Sequence, residues 1–116
     1  MKAEALKYYE EGIECGMCIL LGAAQKNCRV SKEIVDCGAA ISNGFGIGIV
    51  CGCIISGILV INAVYGEEEA KKKRVILMSD FKTKFDNINC SCLCCNRDSC
   101  EDIIGFVCDW LEDIGI

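Results

Sequence analysis

The sequence predicts an all-α protein: a small single-domain bundle of about five helices, with a cysteine-rich loop before the last one. Three observations predict it. Apolar residues follow a helical period along most of the chain, and period-two alternation is scarce. Proline is absent, as are internal repeats and low-complexity linkers. Glu67, Glu68 and Glu69 precede Lys71, Lys72 and Lys73 at i,i+4 in the favourable order, the mark of a solvated helix face. The 116 residues, 53% apolar, have the length of one domain (residues 1–116) able to bury a core without covalent staples.

Each element then follows in chain order. Leu6, Tyr9 and Ile13 mark the stripe of a first helix over residues 2–11, interrupted by Gly12, and a second helix runs over 14–26. Ser31 is placed to cap a short helix that ends near Cys37-Gly38 or a few residues later. The glycine-rich passage 44–48 leads into an apolar helix over about 49–65. The charged segment from Glu67 continues as a helix whose Met78, Phe81, Phe85 and Ile88 share a face. Residues 87–98 read as a cysteine-dense loop. Ser99 is expected to cap the last helix with Asp102 as its capping-box partner, and Ile104, Val107, Cys108 and Leu111 form that helix's inner face.

Residues 37–66 carry no charge, and a stretch that long could span a bilayer. Its glycine-rich first third and the amphipathic helices on both sides favour a central buried helix instead, so no membrane association is expected. A formal charge of −5 argues against nucleic acid as a partner. The first seven residues include an acidic side chain and lack an apolar run ending in a cleavage site. The expected location is therefore the reducing cytoplasm, where many cysteines point to metal or redox chemistry rather than to structural bridges.

Twelve cysteines and no histidine then limit the chemistry. Ser-His and Cys-His dyads, mixed Cys/His zinc sites and imidazole haem ligation are all excluded. Cys15–Cys18 and Cys92–Cys95 are CxxC pairs, while Cys51–Cys53 and Cys90–Cys92 are CxC pairs, a mixture unlike the regular knuckles of a zinc ribbon. Cys15, Cys51 and Cys100 lie at or near predicted helix starts, where free amides and the helix dipole favour thiolate. Cys28, Cys37 and Cys108 fall within or at the ends of apolar stripes, as small buried side chains would.

The segments Glu11–Cys15, Cys51–Gly57, Phe81…Phe85…Cys90 and Cys100–Ile104 resemble, in order and spacing, the C_GCAxxG_C_C family of putative redox-active proteins. The resemblance covers nearly the whole chain and implies that Cys15, Cys51, Cys90 and Cys100 are the family's four cysteines. Aligned on Cys51, the motif's alanine is Cys53 and its closing glycine is Ser56; a second register begins the motif at Gly52-Cys53, so Cys51 and Cys53 compete for one role. A related domain occurs in a cytochrome carrying an iron–sulfur cluster, which implies cluster ligation by four cysteines. That relative's haem does not transfer, because this chain has no CxxCH and no axial histidine.

The expected function is an iron–sulfur protein for electron transfer or redox sensing. Its ligands would be Cys15, Cys51, Cys90 and Cys100, with Cys18, Cys53, Cys92, Cys94 and Cys95 as secondary metal candidates. The alternatives are a metal-free thiol–disulfide redox protein using Cys15–Cys18 or Cys51–Cys53, and a structural four-cysteine zinc or metal-binding module. No catalytic residue for a carbon-based substrate stands out. The expected company is a redox partner protein, with a homodimer compatible with the same reading.

Overall fold

A computed structural model describes residues 1–116, the side chain of Asn96 excepted. The fold is all-α. Five helices have nine residues or more: α1 (Lys2–Glu10), α2 (Cys15–Lys26), α5 (Gly52–Tyr65), α6 (Glu67–Phe85) and α8 (Glu101–Asp113). Three short ones accompany them: α3 (Lys32–Asp36), α4 (Gly38–Asn43) and α7 (Cys90–Leu93). The five long helices match the expected number. Of the short ones, α3 is the helix expected after Ser31, while α4 and α7 are too short for periodicity to register, so the total exceeds the count the sequence suggests.

The apolar helix α5 is the hub, packing against α2, α4, α6 and α8, while α1 covers α2 and α8. Ile19, Leu20, Ile54, Ile61, Leu77, Phe81, Ile104 and Leu111 are buried where these helices meet. No helix is long and apolar enough to cross a membrane. Small residues let the backbones approach: a Cβ at Gly52 would stand 2.8 Å from the Ile41 carbonyl oxygen, and one at Gly16 would stand 3.0 Å from the hydroxyls of Ser42 and Ser56. Those two hydroxyls are buried and satisfied. Ser56 donates to the Gly16 carbonyl and Ser42 to the Gly38 carbonyl, each at 2.7 Å.

Several boundaries differ from the sequence reading. The apolar helix begins at Gly52 rather than near Ile49, because Asn43, Gly44, Phe45 and Gly46 all take positive φ in and just before the tight turn Gly44–Gly48. The expected loop 87–98 contains α7 and a 3₁₀ turn, Cys94–Asn96. Ser31 caps α3 as expected, its hydroxyl accepting from the Ile34 amide. Ser99 does not cap α8. Cys100 holds the N-cap position, and the Asp102 carboxylate is engaged by Arg97 and the Ile103 amide instead. On α6 the Glu67–Lys71 and Glu69–Lys73 ion pairs close at 2.8 and 3.6 Å.

Candidate functional site

Each of the four family-pattern cysteines stands at a helix start. Cys15 is the first residue of α2, Cys51 the N-cap of α5, Cys90 the first residue of α7 and Cys100 the N-cap of α8. Two backbone hydrogen bonds tie together the segments that carry Cys51 and Cys90. The Cys51 amide donates to the Ile88 carbonyl at 2.8 Å and the Cys90 amide to the Ile49 carbonyl at 2.7 Å, framing an antiparallel bridge between Val50 and Asn89. Gly44 completes the clamp, since a Cβ there would lie 2.9 Å from that of Cys90. Across the site, the Cys100 amide donates to the Tyr9 hydroxyl at 3.1 Å, tying the start of α8 to the end of α1. Gly12, at φ +89°, then turns the chain from α1 toward Cys15.

The sulfurs divide into low and high thiols. The Cys53 thiol donates to the Cys15 sulfur, and amides of Asn43, Gly16 and Cys15 add to that bond; against the cost of burial, they hold the Cys15 thiol at about 6. Cys51 is also lowered, first by a hydrogen bond from Cys53 and then by amides at the start of α5. Cys53 has one hydrogen to share between them and is fully buried, so hydrogen bonding to these sulfurs and desolvation push it well above the thiol range. Burial pushes Cys90 up to about 12, with a hydrogen bond to Cys94 and the charge of Cys51 and Cys15 acting the same way. Cys100 also rises to about 12, through burial and then its neighbours Cys94, Cys15 and Cys51. The charges of Cys15 and Cys51 thus reach both Cys90 and Cys100, and that of Cys15 also reaches Cys51.

The remaining cysteines fall outside this group. Cys18 is buried one turn along α2, where its thiol donates to the Ile13 carbonyl at 3.2 Å, and desolvation pushes it up to about 11. Cys92 and Cys95 are exposed on the turn that carries Cys94. Cys108 is a buried core thiol, raised to about 12 by desolvation, as its apolar stripe predicts. Cys28 and Cys37 depart from the expectation of burial: both are exposed, because Cys28 lies in the turn after α2 and Cys37 at the junction of α3 and α4. All twelve are free thiols.

An open cleft of about 480 Å³, lined by Tyr9, Glu14, Cys15, Asn43, Ser99 and Cys100, gives solvent access to one side of the site. Among the described residues, no group of three or more Cys, Asp or Glu side chains is arranged to hold a single metal ion. Sequence reasoning missed four contributors: the Tyr9 hydroxyl, the Asn43 amide and the carbonyls of Ile49 and Ile88. Three of these are backbone groups, which have no residue signature.

Residues 13–114 match the family model described as Putative redox-active protein (C_GCAxxG_C_C). No curated protein and no solved structure matches the chain.

Proposed function

We propose, from the premise that this chain belongs to the C_GCAxxG_C_C family, that its redox activity resides in an iron–sulfur cluster held by Cys15, Cys51, Cys90 and Cys100. Such a cluster supplies one-electron chemistry, for electron transfer or redox sensing. The observation that carries this reading is the clamp between residues 49–51 and 88–90, which joins sulfurs distant in sequence through main-chain bonds. The donor set also suits the group. Clusters take four thiolates, and two of these four sulfurs are already lowered. Amides at the helix starts are available to donate to cluster sulfur and tune a potential. The four thiolates of a cluster are spread over two or more irons, so they need not all surround one point. A four-cysteine zinc site would require the sulfurs to be drawn together onto a single ion.

Anaerobic purification followed by iron, acid-labile sulfide and visible-absorption measurements tests the proposal. The expected protein is brown, with iron and sulfide in stoichiometric amounts. Cys90→Ser is expected to lower bound iron several-fold with unchanged far-ultraviolet circular dichroism. Colourless protein with stoichiometric zinc would move the assignment to the four-cysteine zinc module.

A specific observation favours one second reading, metal-free thiol–disulfide exchange. The Cys53 thiol lies between two lowered sulfurs, Cys15 and Cys51, so a thiolate and a resolving thiol are already neighbours. A reversible two-electron midpoint in colourless, metal-free protein is the outcome that selects it. The cytoplasm remains the proposed compartment, and a redox protein the proposed partner.

A further inference from the structure

We infer that Cys90 and Cys94 form a reversible disulfide on reaction with a small-molecule disulfide, and that this bridge withdraws Cys90 from the metal site. The two sulfurs stand 3.8 Å apart. Cys90 opens α7 and Cys94 opens the 3₁₀ turn that follows directly, so the residues lie four apart on nearly continuous helical backbone, one above the other. The sulfurs have less than about 2 Å to close before reaching the ~2.05 Å of a sulfur–sulfur bond, by side-chain rotation together with a small approach of the two Cβ atoms. The pair is also asymmetric in access. Cys94 is exposed, while Cys90 is half-buried and its amide is tied to Ile49.

That asymmetry sets the order of events. The Cys94 sulfur attacks the disulfide bond of oxidised glutathione, forming a mixed disulfide and releasing one glutathione thiol. The Cys90 sulfur then attacks Cys94, and the second glutathione leaves as thiol. Two cysteine thiols lose two electrons and two protons, and one glutathione disulfide becomes two thiols. A bridge between residues four apart on a helix pulls their Cβ atoms closer than the relaxed spacing, and strain of that kind makes a disulfide easy to reduce. The consequence for the metal site rests on the ligand role proposed for Cys90; the bridge itself does not.

The test uses the full-length, metal-free protein, treated with oxidised glutathione and then alkylated. Trypsin releases residues 85–97 as one peptide carrying Cys90, Cys92, Cys94 and Cys95. Fragment ions are expected to show Cys90 joined to Cys94, with Cys92 and Cys95 alkylated or glutathionylated. Dithiothreitol should reverse the bridge, and Cys92→Ser should retain it. A bridge involving Cys92 or Cys95, or alkylation of both Cys90 and Cys94, overturns the inference. Cobalt(II), added anaerobically, then reports thiolate coordination through its charge-transfer absorption, expected to fall on oxidation and return on reduction. Absorption insensitive to the mapped bridge overturns the withdrawal of Cys90. Reduced protein that coordinates no cobalt has no single-ion site, and the withdrawal is then read from cluster reconstitution, which should fail on the bridged protein and recover on reduction. Equal iron and sulfide in both overturns it, and peptide mapping decides the bridge in either case.

Discussion

In the register aligned on Cys51, Cys53 fills the place where the family pattern has alanine, and in either register its sulfur changes the electrostatics of its neighbours. An alanine there has no hydrogen to donate, whereas the single hydrogen of the Cys53 thiol is within reach of either Cys15 or Cys51. Its own ionisation is suppressed in consequence, so it stays a donor where they are thiolates. Rates of iodoacetamide alkylation at Cys15 in metal-free protein should therefore rise with pH about a midpoint near 6. Cys53→Ala should move the midpoint upward, toward the ordinary thiol value of about 8.5. An unmoved midpoint would show that the α2 amides alone hold the Cys15 thiolate. The substitution also separates the two registers of the motif. If Cys53 supplies only a hydrogen, Cys53→Ala keeps iron binding, and if it is the ligand in place of Cys51, iron is lost.

Helix starts explain why three of the four positions are legible in the sequence and the fourth less so. Glycine marks the chain near Cys15 and Cys51, and the apolar stripes that follow announce α2, α5 and α8, so residue pattern alone sets these sulfurs on helix ends. The α7 turn is too short for any period to register, and Cys90 therefore reads as part of a loop. Exposure at Cys28 and Cys37 is hidden for a related reason: both lie in junctions between elements, where an apolar stripe has no continuing face. The 49–51 clamp on 88–90 is a long-range main-chain pairing, and main-chain pairing leaves no residue pattern. Gly44 is the one side-chain requirement in it. At φ +59°, with Ile49 backbone atoms 2.5 and 2.6 Å from where a Cβ would stand, it admits no larger residue. Gly44→Ala should destabilise the fold by more than about 1 kcal/mol in urea melts. In hydrogen exchange it should deprotect the Cys51 and Cys90 amides ahead of those in α2 and α8. Protection lost evenly through all helices would mean that the clamp is no separate unit.

Across the whole molecule, the thiols couple stability to pH in two opposed windows. Cys15 and Cys51 have folded values below their unfolded ones, so the unfolded chain binds more protons between them. Their stabilisation is fully present above about 8.5 and is lost as pH falls through about 6 for Cys15. Cys18 and Cys108 have the opposite sign, raised by burial to about 11 and about 12. Their contribution is intact below about 8.5, and each then costs the folded state up to about 1.4 kcal/mol per pH unit as the unfolded chain ionises first. Reduced, metal-free protein should thus be most resistant to urea near pH ~8.5, the ordinary thiol value, with the unfolding midpoint falling on both sides. Cys53, Cys90 and Cys100 are raised as well, so Cys108→Ala removes one of five such thiols. Although it lowers stability at neutral pH, it should make the alkaline limb shallower and leave the acid limb in place. Metal binding to Cys15 and Cys51 would compete with their protons, so the acid limb is where holoprotein and metal-free protein should diverge most. An acid limb identical in the two forms would place the metal away from these sulfurs.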